Sequence, residues 1–201
     1  MSAIALPHDA KAGPTKPEVR SVVLGKFDLG PADHFVDVGS CTGAVTIEAA
    51  RRAGRVTAIE RKADRLGVTE RNLAANDVDA EVDLVNDEAP AGIPDDATAL
   101  FLGGSRNFEA VLDRAVESGV GRVVMNVSRL EVAGRAVEAF RERELLDEVV
   151  QFQVSRGYEL AGATSFRSEN PVYVLVGSAV EDGDGSADAD GEDASGEVVT
   201  R

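Results

Sequence analysis

The run Val36-Asp37-Val38-Gly39-Ser40-Cys41-Thr42-Gly43 is a short apolar strand that ends in a glycine-bearing turn. Ala44–Arg52 continues it with the character of a helix. Glycines after a strand let the backbone come close to a ligand, and the amides at the start of the next helix point toward it. A dinucleotide site would carry G-x-G-x-x-G. Here three residues separate Gly39 from Gly43 and no third glycine follows, so the loop is too short for that pattern.

Outward from this loop, strands and helices alternate. Upstream, Thr15-Lys16-Pro17-Glu18 has the form of a capping box with Pro in the first turn. Val19, Val22 and Val23 then predict a helix to about Phe27, which Leu29-Gly30-Pro31 breaks. Downstream, strands are expected at Val56–Ile59, Val82–Val85, Ala99–Leu102 and Val120–Met125. Helices are expected from about Lys62 to Ala75, over Phe108 to Val116 and from about Glu131 to Arg143. Phe108, Val111, Leu112, Ala115 and Val116 fall at i, i+3, i+4, i+7 and i+8, one face of a helix. Glu148–Val154 and Val172–Gly177 are β-rich, with no helical period between them, and predict an antiparallel pair. The fold class expected is therefore α/β: a doubly wound, Rossmann-like sheet of seven strands, mostly parallel, with a C-terminal antiparallel hairpin. Ser155–Pro171 is a long connection, and long loops in compact domains are often functional.

A chain of 201 residues suits one domain. Residues 1–13 are expected to form a flexible arm, 14–179 the folded domain, and 180–201 a disordered acidic tail. From Glu181 on, the tail holds eight acids and one Arg. The net charge is -15, so residues 1–180 carry -8 and are acidic as well. Only 4 of the 21 basic residues are Lys. Acid in excess, with Arg over Lys, is the composition of a salt-adapted protein, and it argues against nucleic acid as the partner. The one cysteine, Cys41, excludes an internal disulfide and a multi-Cys metal site, and no metal is expected. No apolar run is long enough to span a membrane and there is no signal peptide, so a soluble cytoplasmic protein is expected.

In such a sheet, ligands bind at the carboxyl ends of the strands. With Asp37 just ahead of it, the first loop matches the methyltransferase pattern (D/E)-x-G-x-G-x-G, with Cys41 in place of the middle glycine. Glu60 stands directly after the second strand, 23 positions past Asp37, where a carboxylate can accept from both hydroxyls of a ribose. The third loop is Asn86-Asp87-Glu88-Ala89-Pro90. Either an acid there accepts from an adenine amino group beside a neighbouring amide, or the cluster caps a following helix. Gly103-Gly104-Ser105 could flank the methionine part of a cofactor or the methyl acceptor, or simply cap a helix at about Arg106. His8 and His34 lack ligand partners and are expected to be solvated or structural. Cys41 has no nearby His and is read as a small loop residue.

Gly13-Pro14-Thr15, Glu18-Val19-Arg20, the Asp37 loop with Thr42-Gly43, Glu88-Ala89-Pro90, Gly103-Gly104-Ser105, Arg156-Gly157 and Asn170-Pro171-Val172 together resemble one family. It is that of the cobalt-precorrin-6B C(15)-methyltransferases (decarboxylating) of the anaerobic cobalamin pathway, within the class I S-adenosylmethionine-dependent superfamily. The likeness covers about residues 12–178. It implies a homotetrameric enzyme that methylates a corrin-ring carbon and removes carbon dioxide from an acetate arm. It also implies that Thr15, Gly39, Ser40, Cys41, Thr42, Gly43, Glu60, Glu88 and Ala89 contact S-adenosylmethionine. The sequence departs from the family at Cys41, where Gly is usual, and at Glu88, where Asp is usual. A many-carboxylate tetrapyrrole calls for Arg at the rim of its cleft, and Arg129, Arg156 and Arg167 are the candidates, beside Gly103, Gly104 and Ser105. Two other readings fit the same fold: a methyltransferase for RNA or another small molecule, and a non-catalytic nucleotide-binding module.

Overall fold

The computed structural model describes residues 3–11 and 13–179. The acidic tail expected at 180–201 lies outside the described residues.

The elements are α1 (Pro17–Gly25), β1 (His34–Val38), α2 (Ala44–Ala49), β2 (Arg55–Ile59), α3 (Ala63–Leu73), β3 (Glu81–Val85), β4 (Ala99–Leu102), α4 (Phe108–Glu117), β5 (Arg122–Val127), α5 (Leu130–Glu142), β6 (Leu146–Phe152), β7 (Ser155–Leu160), β8 (Ala163–Ser168) and β9 (Val172–Gly177). Seven strands form one sheet in the order β3-β2-β1-β4-β5-β9-β6. The first five pair in parallel, and β9 runs antiparallel to both β5 and β6. The order reverses direction at β1 and β4, so the carboxyl ends of these strands open a crevice.

Alternation along the strands sends side chains into two cores. Val36, Leu100, Leu102, Val123, Met125 and Leu175 pack against α4 and α5. Phe35, Phe101, Val124, Val174 and Val176 pack on the other face, against α1 and α2. The strands buried on both faces are accordingly apolar almost throughout, as parallel strands must be. The buried polar exceptions are His34 and Asp37 in β1 and Thr57 in β2, and Asp37 is the one carboxylate among them, 1% exposed.

Three expectations change. Thr15 does not cap α1: the cap position is Lys16, with no side-chain cap bond. Glu18, the acid of the expected box, instead takes Arg156 Nη1 at 2.7 Å and Nη2 at 3.0 Å. Thr15 contributes its backbone carbonyl, which accepts from Arg20. Thr15→Val should therefore shift thermal stability by no more than about 0.5 kcal/mol, as at an ordinary surface site. A melting temperature lowered by several degrees would restore the cap. Next, the connection after β6 is not an open loop. It folds into β7 and β8, a two-stranded sheet apart from the main one. Its pairing was hidden because Ser155–Ser168 is exposed almost throughout, so burial imposes no apolar alternation on it. Finally, the stretch expected to be a flexible arm lies along α3, where Asn76 and Asn72 bond the backbones of Ala5 and His8.

His34 is structural, as expected. It is buried, with Nδ1 3.0 Å from Asp96 and Nε2 2.8 Å from the Thr57 hydroxyl, at the end of the sheet opposite the crevice.

Candidate active site

The turn after β1 is built on three residues in the left-handed region: Gly39 at φ +86°, Cys41 at +55° and Gly43 at +76°. They alternate, as the glycines of G-x-G-x-G do. Cys41 thus holds a glycine's conformation at a cost of about 1–2 kcal/mol. The turn is pinned from two sides. The amides of Gly39 and Ser40 donate to Ile59 O at 2.8 and 3.2 Å. From α3, the Thr69 hydroxyl lies 3.1 Å from Ser40 Oγ and donates to Cys41 O at 3.1 Å, while Asn72 Nδ2 donates to Thr42 O at 2.9 Å.

Two cavities meet at this turn. One, of about 390 Å³, is lined by Thr15, Lys16, Asp37, Gly39–Thr42, Phe101, Gly103, Asn126, Ser128 and Asn170, among others. The other, of about 360 Å³, is lined by Val38, Gly39, Cys41, Ile59, Glu60, Arg61, Arg65, Asp87–Ala89 and Gly103–Arg106. Gly39, Cys41 and Gly103 border both. The structure therefore gathers Thr15, Gly39, Ser40, Cys41, Thr42, Glu60, Glu88, Ala89, Gly103, Gly104 and Ser105 around one crevice. Gly43 lies just behind it, at the head of α2.

Each cavity has a buried acid. Glu60 is 5% exposed, and its Oε1 accepts from the Lys62 amide at 2.9 Å. Its carbonyl accepts from Asn86 Nδ2 at 2.8 Å, which ties the ends of β2 and β3 together. Asp37 accepts from the Thr46 hydroxyl at 2.6 Å. Burial pushes its carboxyl up to about 6, against the pull of the Thr46 bond, and the nearby Glu60 charge adds to the rise.

The third loop loses one of its two readings. No helix lies between β3 and β4 among the described residues, so the acids there cap none. Glu88 Oε1 faces Arg106 Nη1 at 3.4 Å and Asn107 Nδ2 at 3.3 Å across the mouth of the second cavity.

The three arginines stand differently. None of Arg129, Arg156 and Arg167 lines either cavity. Arg129 is exposed, one residue past Ser128, at the head of α5. Arg156 is spanned by Glu18 and by Glu169, whose Oε1 is 3.2 Å from its Nε. Those bonds hold the Glu18 carboxyl below its ordinary range. Lys16 also pairs with Glu169. Arg167 stacks over the Tyr158 ring at 5.2 Å. Arg156 and Arg167 are thus engaged by the protein's own groups, the first by two acids and the second by an aromatic ring. Sequence reasoning missed Asn126, Ser128 and Lys16. The first two sit where β5 ends, and extending the fifth strand to Val127 would have pointed to them.

A family profile described as "Precorrin methyltransferase domain" matches residues 6–178. The chain belongs to the precorrin methyltransferase family. Among relatives in that family, a probable cobalt-precorrin-6B C(15)-methyltransferase (decarboxylating) of Halobacterium salinarum is 71% identical, over 94% of this chain and 100% of its own length. A protein of the same description from Methanosarcina acetivorans is 39% identical, over 82% and 93% of the two chains. Among solved structures, a precorrin 8W decarboxylase of Methanobacterium thermoautotrophicum superposes with a TM-score of 0.78 at 29% identity, covering 85% of this chain and 95% of that one. The fold is shared more widely: a tRNA (m1A58) methyltransferase of Aquifex aeolicus superposes at 0.70 with 18% identity. The class I methyltransferase fold expected from the sequence is the one present.

Proposed function

We propose that this chain transfers a methyl group from S-adenosylmethionine to carbon 15 of a cobalt-precorrin, and removes carbon dioxide from an acetate arm of the same macrocycle. What carries the reading is a pair of joined cavities, each with a buried acid, in a chain 71% identical to a relative named for that reaction.

The residues present suit the cofactor. A carboxylate at Glu60 accepts from both ribose hydroxyls in the second cavity. Glu88 and Ala89 line the same cavity, and there the Ala89 amide would serve as donor and Glu88 as acceptor to an adenine edge. Asp37, ionised, complements the positive end of an amino acid in the first cavity. When bound, S-adenosylmethionine supplies an electrophilic methyl group on a sulfonium. The protein's part is alignment: Gly39, Cys41 and Gly103 border both cavities, and Thr15 lines the first. Proximity and orientation can supply much of the rate. A reduced tetrapyrrole carbon is itself nucleophilic, so no side chain is assigned as a general base. The conjugated ring takes up the electron pair left by decarboxylation. Gly103, Gly104 and Ser105 leave room for a flat ring. Arg129, and Arg156 once released by Glu18 and Glu169, would meet its carboxylates.

Incubation with cobalt-precorrin-6B and S-adenosylmethionine, followed by mass analysis, tests this. The expected product has gained one methyl group and lost one carbon dioxide. Methylation of RNA in place of the tetrapyrrole would overturn it. Glu60→Ala should weaken cofactor binding by about 1–3 kcal/mol, the cost of leaving hydrogen-bonding groups unpaired in a closed site. Unchanged affinity by calorimetry would remove Glu60 from the ribose.

The finer readings are a homotetramer, on the family resemblance, a salt-adapted protein, on composition, and a place in the cytoplasm. No helix among the described residues is long and apolar enough to cross a membrane. Sedimentation at high salt tests the assembly.

A further inference from the structure

We infer that Asn72 is a positioning residue for the cofactor turn, and that the N-terminal segment is its second anchor. The inference rests on the reading that this turn holds S-adenosylmethionine.

Asn72 is fully buried, yet its carboxamide serves two chain segments far apart in sequence. Its Nδ2 donates to Thr42 O at 2.9 Å, within the turn, and to His8 O at 2.8 Å, within the N-terminal segment. Its Oδ1 accepts from the His8 amide at 2.9 Å. In the turn just past α3, Asn76 repeats the clasp on Ala5, accepting from its amide at 2.9 Å and donating to its carbonyl at 2.8 Å. Thr69 and Asn72 fall at i and i+3 on α3, and with Asn76 in the turn that follows they hold the cofactor turn and the segment together. The segment leads on to Gly13, Pro14, Thr15 and Lys16, which line the first cavity beside the same turn.

The physical consequence is coupling. An amide side chain has two donor hydrogens and one acceptor oxygen. Here all three functions are committed, so Asn72 cannot tilt toward one segment without losing the other. A buried carboxamide that loses a partner is costly, which makes the arrangement stiff. His8 uses only its backbone, so its side chain is irrelevant to the clasp and its N–H is essential to it.

The test removes one backbone N–H in the full chain. His8→Pro removes the N–H that Asn72 Oδ1 accepts, and His8→Ala keeps it. Affinity for S-adenosylhomocysteine is read by calorimetry, and amide exchange is read across Ser40–Thr46. His8→Pro should raise the Kd about two- to tenfold and speed exchange in the turn, the worth of one such bond. His8→Ala should match wild type in both. Asn72→Asp, which keeps the acceptor and loses both donors, should raise KM for the cofactor more than it lowers kcat. Wild-type affinity and exchange in His8→Pro would overturn the inference. If wild type itself binds no S-adenosylhomocysteine, the cofactor reading fails, and exchange in the turn alone decides whether the clasp is real.

Discussion

Gly43→Ala is expected to cost about 2–4 kcal/mol of stability and to weaken cofactor binding at least tenfold. A left-handed alanine costs about 1–2 kcal/mol by itself, and Gly43 sits at φ +76°. A Cβ there would also lie 2.8 Å from Thr69 Cγ2 and 3.3 Å from Thr69 Cα. The backbone of α3 does not yield as a side-chain tip would. Moving Thr69 strains its bonds to Ser40 and Cys41 O, each worth about 1 kcal/mol. The damage therefore reaches the same turn that borders both cavities. Gly134→Ala is the contrast, since nothing lies within 4 Å of its Cβ position inside α5. That change should stabilise by about 0.5–1 kcal/mol, through helix propensity. Calorimetric unfolding and S-adenosylhomocysteine titration of both variants read the result. Equal stability of Gly43→Ala and wild type would show that the turn is not held as described.

Asp37→Asn should stabilise the ligand-free protein at neutral pH and impair the site. The Asp37 carboxyl titrates near 6 in the folded chain, above its ordinary 3.8. Folding therefore favours its protonated form. Between about pH 4 and 6 the native state binds more protons than the unfolded state, so stability falls as pH rises. Above that range the full penalty is present, at most about 3 kcal/mol for a rise of roughly two units. Asparagine keeps the oxygen that Thr46 bonds and never ionises. Its advantage should reach about 1–3 kcal/mol at pH 7.5 and vanish near pH 4, seen as converging melting temperatures. A cation bound beside Asp37 reverses the preference, so wild-type affinity for S-adenosylmethionine should fall as pH drops below 6, and Asn should flatten that dependence. A gap between the two proteins that persists at pH 4 would mean that Asp37 acts through packing and not through charge.

Both variants probe features of unequal legibility. The glycines, Asp37 and Glu60 could be read from the chain because strand, turn and helix follow one another locally, and the site forms at their joints. Even Cys41 kept its place in the pattern, since spacing, not identity, marks the turn. Thr15 misled because a capping box is a side-chain habit, and Glu18 found a stronger partner in Arg156, 138 positions away. Residues 155–168 misled because exposure erases the apolar alternation by which strands are recognised. Asn72 gave no signal at all: its partners Thr42 and His8 accept and donate through their backbones, which look alike at every position. Arg156 and Arg167 were plausible by type, but a sequence does not say which acid or ring will occupy an arginine first.

The order of the sheet has a consequence for how the protein is made. β6 has β9 as its sole neighbour in the sheet, and β9 is inserted between it and β5. On the ribosome, β1 to β5 can pair as each emerges, since every one finds a partner already synthesised or next in line. β6 cannot: some twenty residues, including the β7–β8 hairpin, must be translated before the strand that links it to the sheet exists. Until then, β5 presents an open apolar edge of Val123, Val124 and Met125, and unpaired edges of that kind invite aggregation. A pause in translation anywhere between Val127 and Val172 would prolong that exposure, so the yield of active protein should be sensitive to codon choice across that stretch.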